Sequence, residues 1–315
     1  MVPMSESLCI GTRGIDLALW QTAHVKALLE AHSPGLAVQV QKISTTGDKI
    51  LDAPLSKIGD KGLFTKELEL ALLENRIDIA VHSYKDVPTA LPEGLTIAVV
   101  LEREDVRDVF IANPKKSHNA FAALPPDAVI ATGSLRRKCQ LLNGRPNLTI
   151  VDLRGNLNTR LRKLDSSDWD GMILAKAGVT RLGWERRITD ILPFDVMLPA
   201  VGQGALAVEC RIQDRRVQEL LRPLHHPPTA IAVSAERALL RFLEGGCQIP
   251  IGAYGRINGG ECELRAVIGS LDGKRMVHGK KSGPSSRAEQ LGIELAKELY
   301  ERGGKEILEE IRRTT

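Results

Sequence analysis

Val129-Ile130-Ala131-Thr132-Gly133-Ser134-Leu135-Arg136-Arg137 is the stretch on which the fold turns. Three apolar residues read as a short buried strand, the polar residues after them as a loop, and Leu135–Leu142 as a helix. The same grammar continues downstream: Thr149–Leu153 strand, Leu157–Leu164 helix, Met172–Ala175 strand. It also runs upstream, where Leu8–Thr12 is a strand, Leu17–Glu30 an amphipathic helix, and Val38, Val40 and Ile43 an alternating strand. Past a Gly-rich stretch from Thr45 to Phe64, Lys66–Asn75 reads as helix and Ile77–Val81 and Leu95–Val100 as strands. Alternation of this kind predicts an α/β fold of two lobes with largely parallel sheets.

From Thr229 the pattern changes to a helix (Ala230–Leu243), strand-like segments near Ala253–Ile257, Leu264–Ile268 and Met276–Gly279, and a helix from Ser286 to Arg302. This predicts a smaller C-terminal α+β domain. The Pro-rich stretch Pro223–Pro228 is the most visible linker, and a weaker boundary falls near Glu102–Arg107.

Composition narrows the function classes. The 315 residues carry a net charge of +4, and 43% are hydrophobic, which is ample for a core in each domain. No apolar run approaches the roughly 18 residues that span a bilayer, and Met1 to Cys9 lacks the signature of an export signal, so a cytoplasmic protein is expected. Cys9, Cys139, Cys210, Cys247 and Cys262 are widely spaced with no CxxC pair, which points to reduced thiols without metal. With aromatics at 3%, the chain lacks the stacking residues of a single-strand nucleic-acid binder.

In open α/β sheets, ligands bind beyond the carboxyl ends of the strands. Nearly every strand here hands over to a cation at that end. Arg13 follows the first; His82, Ser83, Lys85 and Asp86 follow Ile77–Val81; Ser134, Arg136 and Arg137 follow Val129–Ala131. Arg154 and Arg160 follow Thr149–Leu153, and Lys176 and Arg181 follow Met172–Ala175. If the lobes share a cleft, these cations would converge on a polyanion, and the planar fork of arginine suits carboxylates. Asp86, the lone carboxylate of the set, can stabilise a developing positive charge and move protons. Lys57 and Lys61 sit in a long connection of the kind used as a lid. Cys247 follows two glycines in Glu244-Gly245-Gly246-Cys247-Gln248-Ile249-Pro250, a context that exposes a thiol for nucleophilic use.

Taken together, Lys61-Gly62-Leu63-Phe64, His82-Ser83-Tyr84-Lys85-Asp86-Val87-Pro88, Thr132-Gly133-Ser134-Leu135-Arg136-Arg137, Leu153-Arg154-Gly155-Asn156, Pro199-Ala200-Val201-Gly202-Gln203-Gly204-Ala205 and Glu244 to Pro250 resemble the porphobilinogen deaminase (hydroxymethylbilane synthase) family over nearly the whole chain. The resemblance implies a transferase of tetrapyrrole biosynthesis whose dipyrromethane cofactor is carried by Cys247 through a thioether. Such an enzyme deaminates porphobilinogen to an azafulvene, condenses four units head to tail on the cofactor, and releases hydroxymethylbilane by hydrolysis, the product passing to uroporphyrinogen-III synthase. It assigns catalysis to Asp86, cofactor binding to Ser83, Lys85, Asp86, Ser134, Arg136, Arg137 and Arg154, and substrate binding to Arg13, Arg154, Arg160, Arg181, Lys57 and Lys61.

The family's lobes resemble those of periplasmic binding proteins, which implies domain 1 at 1–103 and 203–224, domain 2 at 104–202 and domain 3 at 228–315. A monomer without nucleic-acid or membrane partners is expected. Ile15, Tyr84, Asn158 and Lys176 depart from the family pattern, Ile15 standing where a serine hydroxyl is usual. The competing reading is a non-catalytic, two-lobed receptor for a polycarboxylate ligand, which accounts for the arginines but not for Cys247.

Overall fold

The computed structural model describes residues 7–49, 62–244 and 249–314. In chain order these form β1 (Ser7–Thr12), α1 (Asp16–His32), β2 (Ala37–Lys42), α2 (Thr46–Lys49), α3 (Lys66–Leu73), β3 (Ile79–Ser83) and β4 (Leu95–Val100). Next come β5 (Asp108–Ala112), β6 (Val129–Ala131), α4 (Leu135–Gly144), β7 (Thr149–Val151), α5 (Leu157–Ser166), β8 (Gly171–Ala175), α6 (Lys176–Arg181) and β9 (Asp190–Ile191). The chain ends with β10 (Leu206–Arg211), α7 (Arg215–Leu221), α8 (Pro227–Phe242), β11 (Ile251–Asn258), β12 (Glu261–Gly269), β13 (Met276–Pro284), α9 (Ala288–Leu299) and α10 (Lys305–Thr314).

Two compact units result. The first draws on described residues up to 49, on 62–104 and on 205–230. Its five-stranded sheet has the order β2-β1-β3-β10-β4. β1 pairs in parallel with β2 and β3, whereas β10 runs antiparallel between β3 and β4. Helix α1 buries Ala18, Gln21, Thr22, Val25 and Leu29, a helical spacing that places them on one face. Val25 and Leu29 are fully buried with Leu8, Ile10, Ile79 and Val208, and each such side chain contributes roughly 1.5–3 kcal/mol. Helix α3 covers the opposite face, packing Leu68, Ala71 and Leu72 on Ile77 and Ala80.

The second unit contains a five-stranded sheet of order β7-β6-β8-β5-β9 and the three-stranded meander β11-β12-β13. The meander packs its inner face, Ala253, Leu264, Ala266 and Ile268, against Leu239 of α8, Leu295 and Leu299 of α9, and Leu308 of α10. The fold is therefore α/β in both sheet-and-helix lobes, with a small α+β region at the C-terminal end.

Three local expectations change. The sheets are less parallel than the alternation predicts, because β10 and β5 are antiparallel members of otherwise parallel sets. β5 itself was not anticipated, since its leading residue Asp108 continues the charged run before it, yet all of Asp108–Ile111 is buried. The final helix stops at Leu299, where Arg302 and Gly303 leave helical geometry, Gly303 at φ 113°. A glycine tolerates that angle, and α10 then starts afresh.

Candidate functional site

In the first unit, a pocket opens at the carboxyl ends of β1 and β3. Arg13, Ile15, Leu17, Gln21, Phe64, Thr65, His82, Ser83 and Asp86 line it. Strand alternation distributes them. On β3, Ile79, Val81 and Ser83 share the α1 face while Ala80 and His82 share the α3 face. Gln21 of α1, only 3% exposed, donates through Nε2 to Ser83 Oγ at 2.8 Å and fixes that hydroxyl. Lys85 and Asp86 lie on the single 3-10 turn, Tyr84–Asp86, that follows β3. The Asp86 carboxylate accepts no hydrogen bond and forms no ion pair among the described residues, and it lines the pocket.

Arg13 is held from two sides. Its guanidinium forms a two-point ion pair with Asp48, Nε donating to Oδ2 at 3.0 Å and Nη2 to Oδ1, and it stacks 4.3 Å from the centroid of Phe64. Burial disfavours the Asp48 anion, but Arg13 and the Thr45 hydroxyl outweigh it and hold the carboxyl below its ordinary range. A carboxylate ligand at Arg13 thus shares or replaces the place of Asp48.

The cations of the second unit fall into two groups. Arg136 and Arg137, on the first turn of α4, are each about 5% exposed and close on one fully buried carboxylate, Asp108. Arg136 Nη1 donates to Asp108 Oδ2 at 2.7 Å; Arg137 Nη2 donates to Oδ1 at 2.8 Å, and Gln203 Nε2 reaches the same oxygen at 3.0 Å. Arg136 also donates to the Leu198 carbonyl and Arg137 to that of Ile173. Burial opposes the Asp108 charge, yet the two guanidinium groups prevail and bring its pKa to about 2. Nothing local in the sequence marks Asp108 as the partner of Arg136 and Arg137, a whole strand-helix unit away.

The second group lies at the ends of β6, β7 and β8. Ser134 caps α4, its Oγ accepting from Arg137 N at 3.4 Å, and Asn156 caps α5, Oδ1 accepting from Thr159 N at 2.9 Å. Thr132 N donates to the Val151 carbonyl, and a Cβ on Gly133 would stand 2.7 Å from the Leu153 carbonyl oxygen, so the loops after β6 and β7 lie flush. Gly155 is needed as well: it has φ 108°, and a Cβ there would meet Thr159 at 2.7 Å. Arg160 Nε donates to the Gly155 carbonyl at 2.8 Å, and buried Arg181 donates through Nη2 to the Gly204 carbonyl at 2.6 Å.

Arg154 differs from these: its Nε is buried with no hydrogen-bond partner among the described residues, and burial lowers its pKa although Asp152 acts in the other direction. A buried donor left unpaired costs roughly 1–3 kcal/mol, which an anionic ligand would recover. Lys176 is ion-paired to Asp105 at 2.8 Å, an acid that also holds Arg107. Lys57, Lys61 and Cys247 lie outside the described residues.

Family comparisons bear directly on this arrangement. Residues 8–219 match the family model described as "Porphobilinogen deaminase, dipyromethane cofactor binding domain", and residues 230–301 match "Porphobilinogen deaminase, C-terminal domain". The chain belongs to the porphobilinogen deaminase family.

Among solved structures, the BenM effector binding domain with benzoate is 11% identical at TM-score 0.42, covering 70% of this chain and 92% of its own. YtmK of Bacillus subtilis, a probable amino-acid ABC transporter extracellular-binding protein, is 11% identical at TM-score 0.40, covering 74% and 97%. YhfZ from Shigella flexneri is 18% identical at TM-score 0.35, covering 74% and 94%.

The chemistry of the donors fits the dipyrromethane group after which the matched porphobilinogen deaminase domain is described, since a polycarboxylate needs fixed cations and the partnerless Arg154 Nε offers one. At the family's departures, Ile15 occupies the N-cap of α1 without a side-chain cap bond and lines the pocket with its alkyl chain. Asn158 sits in the first turn of α5. No described helix is long and apolar enough to cross a membrane.

Proposed function

We propose that this protein is a porphobilinogen deaminase, condensing four porphobilinogen units on a dipyrromethane cofactor carried by Cys247 and releasing hydroxymethylbilane by hydrolysis. The observation that carries this reading is Asp86, a carboxylate that has no partner among the described residues, in a pocket with Arg13 and Ser83 on a chain of this family. The bound cofactor supplies the nucleophilic ring carbon to which each unit is added.

The chain's own residues do the rest. In the first unit Arg13 and the Ser83 hydroxyl, and in the second Arg154, Arg136, Arg137, Arg160, Arg181 and the Ser134 hydroxyl, offer N–H and O–H donors to ring carboxylates. Lys85, beside Asp86, offers a point charge to the same ligand class, as do Lys57 and Lys61. Asp86 would stabilise positive charge that develops on the pyrrole nitrogens as ammonia departs. Ile15 gives the pocket an apolar wall in place of a hydroxyl donor. The protein acts as a cytoplasmic monomer, and its product passes to uroporphyrinogen-III synthase.

Attachment through Cys247 is what the family resemblance implies, and the other four thiols are poorer nucleophiles. Burial pushes the Cys139 thiol up to about 12 and that of Cys210 up to about 11, and it raises Cys9 and Cys262 as well. None of these four forms a useful thiolate near neutral pH. The intact mass of protein purified from cells that make porphobilinogen is expected to exceed that of the bare chain by a dipyrrole. In Cys247→Ser that increment disappears. A bare-chain mass for the parent protein overturns the reading.

A further inference from the structure

Behind the pocket lies a set of buried acids and one imidazole to which the proposed chemistry assigns nothing. β10 runs antiparallel to β3 with Ala207 opposite His82 and Glu209 opposite Ala80, so His82 and Glu209 are diagonal neighbours on the face covered by α3. His82 Nε2 donates to Glu209 Oε2 at 2.9 Å, with Glu209 fully buried and His82 5% exposed. From α3, Glu69 is 7% exposed, and Thr65 at its N-cap is 1% exposed.

Thr65 Oγ1, Glu69 Oε1 and Glu209 Oε1 are sealed from solvent, and among the described residues none meets a partner at full hydrogen-bond geometry. Two carboxyl groups and an imidazole buried on the sheet face that also carries the Leu68, Leu72 and Ala80 cluster are costly merely as packing, since each buried polar atom left unpaired costs roughly 1–3 kcal/mol. Burial and the Glu209 carboxylate push the Glu69 carboxyl above its ordinary value, with the Thr65 hydroxyl and His82 acting the other way. Glu69 therefore holds a proton more readily than a surface glutamate. The bond to Glu209 fixes one proton on Nε2, because a carboxylate only accepts. Nδ1 has no hydrogen-bond partner among the described residues. His82 and Thr65 both reach the pocket wall that Asp86 shares.

We propose that His82 and Glu209 form a proton relay serving this pocket, with His82 handing a proton to the nitrogen that leaves the substrate. The proposal rests on the porphobilinogen deaminase reading. The substrate's aminomethyl carbon–nitrogen bond breaks with its electron pair on nitrogen. A substrate held as the free amine takes one proton from imidazolium Nδ1 and releases ammonia. The positive charge passes from the imidazole to the pyrrole, where Asp86 would stabilise it. The neutral imidazole regains a proton from solvent that enters the pocket between turnovers, through the edge of the ring that lines it. Among the described residues, the charged or titratable groups on the elements beside His82 include Glu209 from β10, Glu69 with its neighbour Glu67 from α3, and Asp86 and Arg13 at the pocket.

The test uses Glu209→Gln in the cofactor-loaded enzyme, with loading confirmed by intact mass. Removing the carboxylate destabilises the imidazolium, so kcat falls at least tenfold and the alkaline limb of its pH profile moves to lower pH. A purely structural pair would lower the melting temperature and leave that limb in place. A loaded Glu209→Gln enzyme whose kcat and pH profile match the parent overturns the relay.

If this variant does not fold, nitrogen-15 NMR of histidine-labelled parent enzyme decides. The His82 ring is expected to titrate with the alkaline limb of kcat, and a ring that stays neutral throughout that range overturns the relay. A parent protein without the dipyrrole mass, or one that releases no ammonia from porphobilinogen, instead removes the functional reading on which the relay rests.

Discussion

Asp86→Asn is expected to keep the fold and the covalent adduct while losing about a thousandfold in turnover, the range of a lost proton-transfer or charge-stabilising group. The substitution removes one negative charge and almost no volume. Among the described residues the carboxylate has no partner to strand, so melting temperature should move by less than about 0.5 kcal/mol of stability would dictate. KM should change far less than kcat, because the charge that Asp86 opposes develops only as the carbon–nitrogen bond breaks. The measurement is kcat and KM for porphobilinogen on protein whose adduct mass has been verified. Turnover within tenfold of the parent would move the central charge-stabilising role away from Asp86. Asp86→Glu is a useful companion, since it keeps the charge but displaces it by a methylene on a short turn, and recovers part of the loss.

What could be read from the sequence, and what could not, follows from the range of the forces involved. Helices α1, α4 and α5 and strands β6, β7 and β8 were legible because a helical face and a buried strand leave a local period. The loops after those strands were legible too, since polar residues must follow an apolar strand that ends at a ligand-facing edge. Charge pairing leaves no period. Arg13 with Asp48, Lys176 with Asp105, and Arg136 and Arg137 with Asp108 join residues that no local pattern links. In the sequence these cations looked uniformly available to a ligand, whereas the folded chain already gives several of them a carboxylate. The His82–Glu209 pair spans 127 positions and depends on β10 inserting between β3 and β4, a topology that a run of apolar residues does not announce. Gln21 was invisible for the same reason: on α1 it looks like any polar helix residue until the fold brings it to Ser83.

Asp108→Asn should be the most destabilising single change in the second unit, costing about 3–5 kcal/mol, because it leaves two buried guanidinium charges without their counterion. The asparagine retains the volume and one acceptor oxygen, so the loss reports charge rather than a cavity. Asp108 opens β5, Arg136 and Arg137 open α4, and Gln203 comes from the Gly202–Gly204 turn, so one carboxylate joins three segments distant in sequence.

The pH dependence carries a definite sign. With its folded pKa at about 2 and an ordinary unfolded value of 3.8, Asp108 is depressed on folding. Its contribution is therefore fully present above about pH 4 and is lost as pH falls toward about 2. Urea denaturation of parent and variant at pH 7 should show the full difference, and the gap should narrow as pH falls through that window. A difference below about 1 kcal/mol at pH 7 would mean that Arg136 and Arg137 draw their compensation from elsewhere. The same stranded charges predict that the variant's cofactor-free form loses more stability than its loaded form, because a polycarboxylate bound only to the folded state replaces part of the missing counterion.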